Sequence, residues 1–505
     1  MHIAYTTKNG ALYAALATSI RNGVDVRKTY INLGRVIDKE HNIFKSRERG
    51  IFHYDPENDR YSEPDCSGLD IPTCFPKAPA PKGERLILDF GDIFFIDAYE
   101  KSVGLSEVLS SISVENHDTL KTMIGYYILC QAANCHAQTW WEGSYASLLY
   151  RNAALSSQRI SEFLADIGNE GAYRSFFKAY HPFISKGGVD GENVLIDSTG
   201  LPNSIHFPLT AISNHSGEIS NEVRLIYVIQ QETGLPLYFR YCPGNVIDVS
   251  TLIRTMAELK RNGINTKFAI LDAGYYDEDS IRELYRSKVS FVTRLKQNRK
   301  LYKQLLHDHL DTLECKENFV SYNSRYVYLK CVECTVVDEY KGYAYIGLDI
   351  DRKGSESKKL FQRAKDKELT DEEVFDLMER QGVFILLSSR RIAKDKILPT
   401  YYSRQQIEQV FDIGKNYADI LPLRVHNEET FRGHLLLTFI ACVILKLMQD
   451  QMKDTKYNPI SMFMNLRNQK CKVYEHEVLT TEPVRKMNDC YRIFGITCPV
   501  SISID

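Results

Sequence analysis

Two short apolar segments, each closed by an aspartate, constrain the fold of this chain more than any other feature. Asn193-Val-Leu-Ile leads into Asp197, and Phe268-Ala-Ile-Leu leads into Asp272. Apolar runs of this length are typical of strands buried on both faces, which places each aspartate at a strand end. In open α/β sheets, ligand sites gather at strand ends, so we expect function at this rim of the predicted sheet.

The segments around these two strands predict a mixed α/β core. Val223–Ile229 and Leu235–Tyr241 flank a Glu-Thr-Gly turn, which indicates a hairpin. A helix from Asp248 to about Asn262, a helix over Glu278–Arg286 and a strand over Val289–Arg294 follow. The predicted order is therefore three antiparallel strands, then helix, strand, helix and strand.

Outside this core the patterns are more varied. Ala11–Ile20 favours a helix, and the proline-rich stretch from Tyr61 to Arg85 favours an exposed connector. From Ser157 onward, apolar residues recur at helical spacing until Gly168. The polar face of that helix (Gln158, Arg159 and Glu162) could read DNA in a helix-turn-helix, although packing beneath the core is favoured.

Composition excludes several classes of protein. The 505 residues include 63 basic and 65 acidic side chains, a net charge of −2, so any nucleic acid must bind through local basic surfaces. Leu435–Leu445 is shorter than a membrane span and indicates a buried helix, and the N-terminal residues lack a secretion signal. We expect a cytoplasmic protein that makes no membrane contact.

The twelve cysteines show no disulfide framework, which favours reduced thiols. Cys331 and Cys334 have a zinc-like spacing. They lie in a predicted strand over Tyr326–Val337, where residues three apart face opposite sides, and no second pair follows. Buried thiols are the favoured interpretation.

The sharpest motif is Tyr-x2-Arg-x3-Glu-x6-Lys, formed by Tyr401, Arg404, Glu408 and Lys415. On one helix, Glu408 would lie about 40° and Lys415 about 20° around the axis from Arg404, so the three would share a stripe. One interpretation is a surface ladder of salt bridges. The other is a carboxylate metal ligand flanked by two cations that bind phosphate.

This motif, preceded by two strand-end aspartates, resembles the DDE transposases of bacterial insertion sequences, specifically the insertion-sequence-4-like class. The resemblance covers about residues 190 to 450. Further local matches are Asp197-Ser-Thr-Gly, Pro243-Gly-Asn-x2-Asp248, Asp272-Ala-Gly-Tyr275 and Phe291-Val-Thr-Arg-Leu-Lys296.

The resemblance implies an RNase H-like core, a mixed five-stranded sheet with flanking helices, interrupted by a β-rich insertion and preceded by a mostly helical N-terminal region. It also implies that Asp197, Asp272 and Glu408 are the catalytic triad and bind two Mg²⁺ or Mn²⁺ ions. Tyr401, Arg404 and Lys415 would contact DNA phosphates. Two divalent ions can activate water on one side of a phosphodiester and stabilise the leaving oxygen on the other.

A basic segment without acids contains Arg286, Lys288, Arg294, Lys296, Arg299 and Lys300. A DNA-phosphate surface is favoured over a solvated loop, with Arg294 and Lys296 on one strand face. His434 begins an apolar helix and is interpreted as structural.

We therefore predict a cut-and-paste transposase that cleaves transposon ends and joins them to target DNA, with double-stranded DNA as partner, a homodimer in the synaptic complex and a nucleoid-associated location. The alternatives are a nuclease of the same fold without strand transfer and a transposase-derived DNA-binding regulator. The predicted regions are residues 1–110 (N-terminal, the candidate for DNA-end binding), 111–188 (helical), 189–300 (core, first part), 301–390 (insertion), 391–450 (core, second part, with the Glu408 helix) and 451–505 (C-terminal).

Overall fold

A computed structural model describes most of the chain. The described residues are 2–8, 10–22, 25–47, 49–64, 86–130, 132–203, 209–214, 218–246, 248–366, 374, 377–378, 380–418, 420–423, 425 and 427–504. The predicted connector over Tyr61–Arg85 lies almost wholly outside them. The chain divides into two compact units, Met1–Leu86 and Ile87–Asp505.

The first unit is a six-stranded antiparallel sheet whose strands follow one another in sequence order. Its strands are β1 (His2–Lys8), β2 (Ala11–Asn22), β3 (Asp25–Asp38), β4 (Ile43–Ser46), β5 (Gly50–Asp55) and β6 (Arg60–Ser62). The helix predicted over Ala11–Ile20 is wrong, as is the helical character of this part of the N-terminal region. Ala14 and Leu16 are buried at alternate positions of β2, so pairing with β1 and β3 overrides the helix propensity of alanine.

The second unit opens with a short strand and seven helices, as the predicted helical region implies. They are β7 (Leu86–Asp89), α1 (Gly91–Ser102), α2 (Leu105–Ser110), α3 (His117–Leu129), α4 (Ala137–Glu142), α5 (Ala146–Leu149), α6 (Ser157–Ile167) and α7 (Glu170–Lys186). The apolar side of α6 (Ile160, Phe163, Leu164 and Ile167) is buried, while Arg159 pairs with Glu162 on the exposed side. Helix α6 is thus a packing helix of the core, the alternative that the sequence favoured.

The core of this unit is one extended mixed sheet. Its first part comprises β8 (Asn193–Pro202), β9 (Ala211–Ser213), β10 (Ser220–Gln230), β11 (Pro236–Pro243), α8 (Asp248–Arg261), β12 (Phe268–Leu271), α9 (Glu278–Arg286) and β13 (Ser290–Arg294). Strands β8, β10 and β11 are antiparallel neighbours, and β12 and β13 run parallel to β8. The mixed α/β fold and the predicted order of strands and helices are confirmed.

The strands between β13 and the last core helices belong to the same sheet. It contains α10 (Lys300–His309), β14 (Phe319–Tyr322), β15 (Arg325–Val337), β16 (Tyr340–Asp349), α11 (Ile350–Asp366) and β17 (Val383–Ser388). The order across the sheet is β11-β10-β8-β12-β13-β17-β16-β15-β14, and β17 pairs antiparallel with β13. These strands extend the core sheet instead of forming a sheet of their own.

The remaining elements are helices and three short strands, and those strands form a separate four-stranded sheet with β7. They are α12 (Lys394–Tyr402), α13 (Gln405–Tyr417), α14 (Glu428–Gln451), α15 (Pro459–Arg467), β18 (Lys470–Val473), β19 (Glu477–Thr480), α16 (Arg485–Ile493) and β20 (Ser501–Ser503). By length and composition alone α14 could cross a membrane, with a mean hydropathy of 1.7 over 18 residues, but 83% of that window is buried inside the protein. The buried environment is the one that the sequence predicted for Leu435–Leu445.

Candidate active site

The two aspartates lie next to each other because β8 and β12 are parallel neighbours in register. Asp272 directly follows β12, but β8 continues to Pro202, so the prediction that Asp197 closes its strand is wrong. Leu271 of β12 pairs with Ile196 of β8, so the next residues along the two strands are Asp272 and Asp197. Asp197 also accepts a hydrogen bond from the amide of Ser198, at 2.8 Å. The carboxylate of Asp272 accepts one from the amide of Gly274, at 3.5 Å, as the cap of a short 3-10 turn.

Arg404 joins these aspartates to Glu408. Its Nη1 lies 3.0 Å from Asp197 Oδ2 and 2.9 Å from Asp272 Oδ1, and its Nη2 lies 3.3 Å from Glu408 Oε1. The structure therefore brings all three predicted acids to one guanidinium, although Asp197 and Glu408 are 211 positions apart in the chain. The arrangement is far from the exposed ladder that the motif alone would allow, because the Arg404 side chain is only 22% exposed.

The charge of Arg404 is fixed by these neighbours. Burial works to lower the pKa of Arg404, but the carboxylates of Asp272 and Asp197 outweigh it and raise the pKa above its usual value. The guanidinium therefore stays protonated and offsets the repulsion that the clustered acids would otherwise suffer.

The motif spans a break between two helices, which the sequence did not predict. Helix α12 ends at Tyr402 and α13 begins at Gln405, so Tyr401 belongs to the preceding helix and Arg404 lies at the cap of α13. Tyr401 is 5% exposed, and burial raises the pKa of its phenol. The turn at Ser403 lets Tyr401 and Arg404 approach the same rim from two directions.

An open cleft of about 810 Å³ lies beside the carboxylates. Six of the predicted site residues line this cleft: Asp272, Arg294, Lys296, Tyr401, Arg404 and Glu408. Arg294 is the last residue of β13, the strand next to β12, which explains why it reaches the rim that Asp272 occupies.

Lys415 points elsewhere. Its Nζ donates to Thr199 Oγ1 at 2.7 Å, two residues beyond Asp197 on β8. Burial lowers the pKa of Lys415, and the nearby charge of Glu222 acts in the opposite direction. The motif lysine thus lies over the strand of Asp197 and is not part of the cleft beside Asp272.

Three charged residues of the cleft were not predicted from the sequence. They are Arg352 and Glu356 of α11 and Arg380. Arg352 Nε lies 2.6 Å from Glu356 Oε1, whose other oxygen accepts from the amide of Gly382. No local signal marks these residues, because their place depends on β15–β17 joining the core sheet.

The basic segment splits in the fold. Arg294 and Lys296 line the cleft, whereas Arg299 donates to the carbonyl of Tyr276 at 3.2 Å. Arg286 closes α9 and Lys288 follows it, at the start of β13 and away from the rim.

The donor set suits a hard divalent cation. Among the described residues no group of three His, Cys, Asp or Glu side chains is arranged as a ready metal site. Two aspartate oxygens nevertheless face one point, where Arg404 Nη1 now supplies the positive charge, and Glu408 lies at the same guanidinium. Carboxylate oxygens are the ligands that Mg²⁺ and Mn²⁺ prefer, so the chemistry of these residues fits such an ion.

Two other sequence candidates have structural roles. His434 is buried on α14, with Nε2 3.1 Å from the carbonyl of Ile420 and Nδ1 2.7 Å from Tyr127 Oη. A carbonyl only accepts, so Nε2 carries the proton and Nδ1 accepts from Tyr127. The prediction of a satisfied structural histidine is confirmed. None of the described cysteines forms a disulfide, and Cys331 and Cys334 lie half-buried on β15.

Comparisons with known proteins identify a family for the region that contains this site. The family described as "Transposase DDE domain" matches residues 191–444, from just before β8 to the middle of α14. A cryo-EM structure of a piggyBac transposase synaptic complex with hairpin DNA matches 74% of this chain and 78% of that chain, with 10% identity and a TM-score of 0.40. A TM-score of that size does not show a shared fold. No curated protein sequence matches the chain significantly.

The strands, the acidic rim and the family match define a class of protein that acts on DNA by transposition. Because the match spans just over half of the residues, this chain belongs to the transposase DDE domain family.

Proposed function

We propose that the protein is a DDE transposase of the insertion-sequence-4-like class, built on an RNase H-like core. The order β11-β10-β8-β12-β13, with three antiparallel strands followed by two parallel ones, supports the core assignment. The Tyr401, Arg404, Glu408 and Lys415 motif supports the class. The insertion would then be the segment from α10 to β17.

Asp197, Asp272 and Glu408 are proposed as the catalytic triad. The single observation that carries this assignment is their convergence on Arg404, at 3.0, 2.9 and 3.3 Å. A structural salt bridge would need one acid, whereas three acids around one cation concentrate negative charge that a divalent ion can use.

The same three carboxylates are proposed to hold Mg²⁺ or Mn²⁺, two ions per site. Bound there, the metal would polarise the phosphoryl oxygen and lower the pKa of an attacking water. The chain supplies the rest. Arg294 and Lys296 in the cleft would hold the DNA phosphates, and Arg404 is positioned to bind a phosphate when it leaves the aspartates.

A single site of this kind would serve both cleavage of the transposon end and transfer to target DNA, since water and a DNA 3′-hydroxyl are equivalent nucleophiles. We propose cut-and-paste transposition on double-stranded DNA, by a homodimer in the synaptic complex, in the cytoplasm at the nucleoid. Family membership supports the DNA substrate.

Substitution of the triad tests this function. Asp197→Asn and Glu408→Gln should each abolish Mg²⁺-dependent cleavage of end-containing duplex while DNA binding is retained. Asp412→Asn is the matched control, because Asp412 lies exposed one turn beyond Glu408 on the same helix, where its carboxylate accepts a hydrogen bond from the side chain of Asn416. It should cleave like the wild type.

Cleavage that persists in Asp197→Asn would remove the assignment. Precut ends supplied with target DNA separate the alternatives, because joined product identifies a transposase, whereas cleavage without joining identifies a nuclease. DNA binding with neither reaction would identify a regulator.

A further inference from the structure

A second cleft, away from the carboxylates, carries a concentration of positive charge that the proposed active site does not use. It has a volume of about 910 Å³ and runs along the edge strand β11, between α7 and α8. Six cationic side chains line it against three carboxylates, a local charge of +3 in a chain whose net charge is −2. It is the kind of local basic surface that an acidic-to-neutral chain needs if it binds nucleic acid.

The acids of this cleft are already paired with the cations nearest to them. Glu258 lies 3.3 Å from Arg240 Nε, and Arg432 lies 3.0 Å from Glu170 and 3.3 Å from Glu428. Lys178, Arg254 and Arg261 are exposed and have no carboxylate partner among the described residues. The excess charge is therefore presented to the open cleft.

Basic side chains line the cleft from both helices, with Lys178 and Arg174 (which pairs with Glu170) on α7 and the free Arg254 and Arg261 on α8. Lys178 is one helical turn from Arg174 on α7, about 6 Å along the axis. Arg254 and Arg261 are seven positions apart on α8, which puts them on one face with a rise of about 10 Å. Two rows of long basic side chains on either side of a groove match a phosphate backbone better than a single small anion.

The edge strand itself is closed to strand addition. Tyr173 Oη donates to the carbonyl of Phe239 at 2.8 Å, and Tyr180 Oη donates to that of Pro236 at 2.6 Å. His181 Nε2 lies 3.2 Å from the carbonyl of Leu237. An extended peptide would find these acceptors occupied, so recognition here depends on side chains and charge.

The cleft also lies close to the carboxylate rim. Arg240 of β11 pairs with Ile226 of β10, which pairs with Ser198, the neighbour of Asp197. Two strand spacings separate the backbones, about 10 Å, which corresponds to about three base-pair steps. Because side chains alternate along a strand, Arg240 and Ser198 share one face of the sheet, with α8, whereas Asp197 projects from the other face.

We propose that the cleft between α7 and α8 binds the phosphate backbone of double-stranded DNA, as a second contact region for the substrate of the proposed transposase. This inference rests on the proposed function for the identity of its ligand. Lys178, Arg254 and Arg261 supply the free charge, and the contact is independent of base sequence.

The test is the salt dependence of DNA binding, measured in the Asp197→Asn background with a labelled random-sequence duplex of about 40 base pairs. R254Q/R261Q should weaken binding by about tenfold at low salt and reduce the slope of log K against log salt by about 2. R485Q/K486Q is the matched control, since it removes two exposed cations from α16. It should change neither quantity.

R254K/R261K should restore the slope, because charge is retained, and thermal unfolding shows whether each variant is folded. An unchanged salt slope in folded R254Q/R261Q overturns the proposal. A loss of affinity for polyglutamate without a loss of affinity for DNA also overturns it. The readout does not depend on catalysis. If the wild type fails to cleave DNA but R254Q/R261Q still lowers the slope of log K against log salt, only the proposed function fails. If cleavage depends on Asp197 but R254Q/R261Q leaves that slope unchanged, only the cleft assignment fails.

Discussion

Arg404 satisfies three acids with one side chain, and this has consequences for stability as well as for chemistry. A guanidinium presents five donors in a rigid plane, so it can contact Asp197 and Asp272 through one nitrogen and Glu408 through another. A lysine ammonium in the same place would be a point charge without that geometry. Arg404, four positions before Glu408 in the motif, therefore holds the three acids in place.

Removal of this guanidinium should destabilise the protein. Arg404→Gln leaves Asp197 and Asp272 facing each other without a cation, and we expect a loss of about 1–2 kcal/mol in urea unfolding with EDTA present. Added Mg²⁺ should raise the melting temperature of this variant more than that of the wild type, since the cation can take over the role of the guanidinium.

Arg159→Gln is the control for that experiment. Arg159 forms an exposed pair with Glu162, whose loss should cost at most a few tenths of a kcal/mol. Equal stability of Arg404→Gln and wild type in EDTA would contradict the electrostatic role assigned to Arg404.

His434 predicts a pH dependence of stability. Burial lowers its pKa to about 4, against an ordinary value near 6.5 in the unfolded chain. Between these values the unfolded state binds a proton that the folded state does not, so stability falls as the pH falls through this window. We expect a loss of about 2 kcal/mol from this group between about pH 7 and pH 5.

Urea unfolding of wild type and His434→Gln at both pH values measures this effect. The variant should lose less stability on acidification, because Gln does not titrate. Parallel losses in the two proteins would show that His434 is accessible to protons in the folded state.

At the scale of elements, two glycines set how closely α6 approaches α14. A Cβ on Gly168 would meet the carbonyl oxygen of Glu429 at 1.9 Å, and a Cβ on Gly433 would meet that of Leu164 at 2.0 Å. Both obstacles are backbone atoms, which have little freedom to move. The crossing therefore depends on the absence of side chains at these two positions.

Gly433→Ala should be strongly destabilising, by about 3 kcal/mol, because the two helices must separate to accept the methyl group. Gly354→Ala is the matched control within α11, where a Cβ meets nothing within 4 Å. It should stabilise the protein by about 0.5–1 kcal/mol through helix propensity. Chemical denaturation of both variants tests the crossing, and a neutral Gly433→Ala would show that α6 and α14 can move apart freely.

Elements differ in how well the sequence predicts them. Strands β10, β11, β12 and β13 were predicted within a few residues, because runs such as Phe268–Leu271 are buried on both faces and carry a strong apolar signal. Strand β8 was predicted to end at Asp197 but continues to Pro202. Strand β2 was mistaken for a helix, since its alanines favour a helix locally and only pairing with β1 and β3 decides otherwise. The helix break at Ser403 was not predicted, because no glycine marks it and the nearby Pro399 lies inside α12 and not at the break.

The same limit applies to the candidate site. Asp197, Asp272 and Glu408 could be proposed from two apolar runs that lead into acids and from a motif, and the common contact of the two aspartates with Arg404 follows from the register of β8 and β12. Arg352 and Arg380 could not be proposed, because their position depends on pairing between β13 and β17 over about ninety residues of intervening chain.

For the molecule as a whole, the two compact units have separate hydrophobic cores. The core of the first unit contains Ala14, Leu16, Leu33, Phe44, Phe52 and Tyr54. That of the second unit is much larger and includes most of α14. Separate cores imply that each unit can unfold in its own transition.

Phe44→Ala should therefore destabilise the first unit by about 3–5 kcal/mol and leave the second unit unchanged. Leu436→Ala, at a buried position of α14, should do the reverse. Differential scanning calorimetry would resolve the two effects. A shift of the whole unfolding profile by Phe44→Ala would show that the units unfold together.

Because β14–β17 continue the core sheet, both walls of the carboxylate cleft rest on one hydrogen-bonded platform. Arg352, on the helix that follows β16, and Asp272, at the end of β12, are thus both carried by elements of this one sheet. We therefore expect a rigid cleft that does not close around its substrate. If the protein cleaves DNA as proposed, the cost of bringing a scissile phosphate into line would then fall on the bending and unwinding of the double helix, and we expect easily deformed steps to be cut in preference.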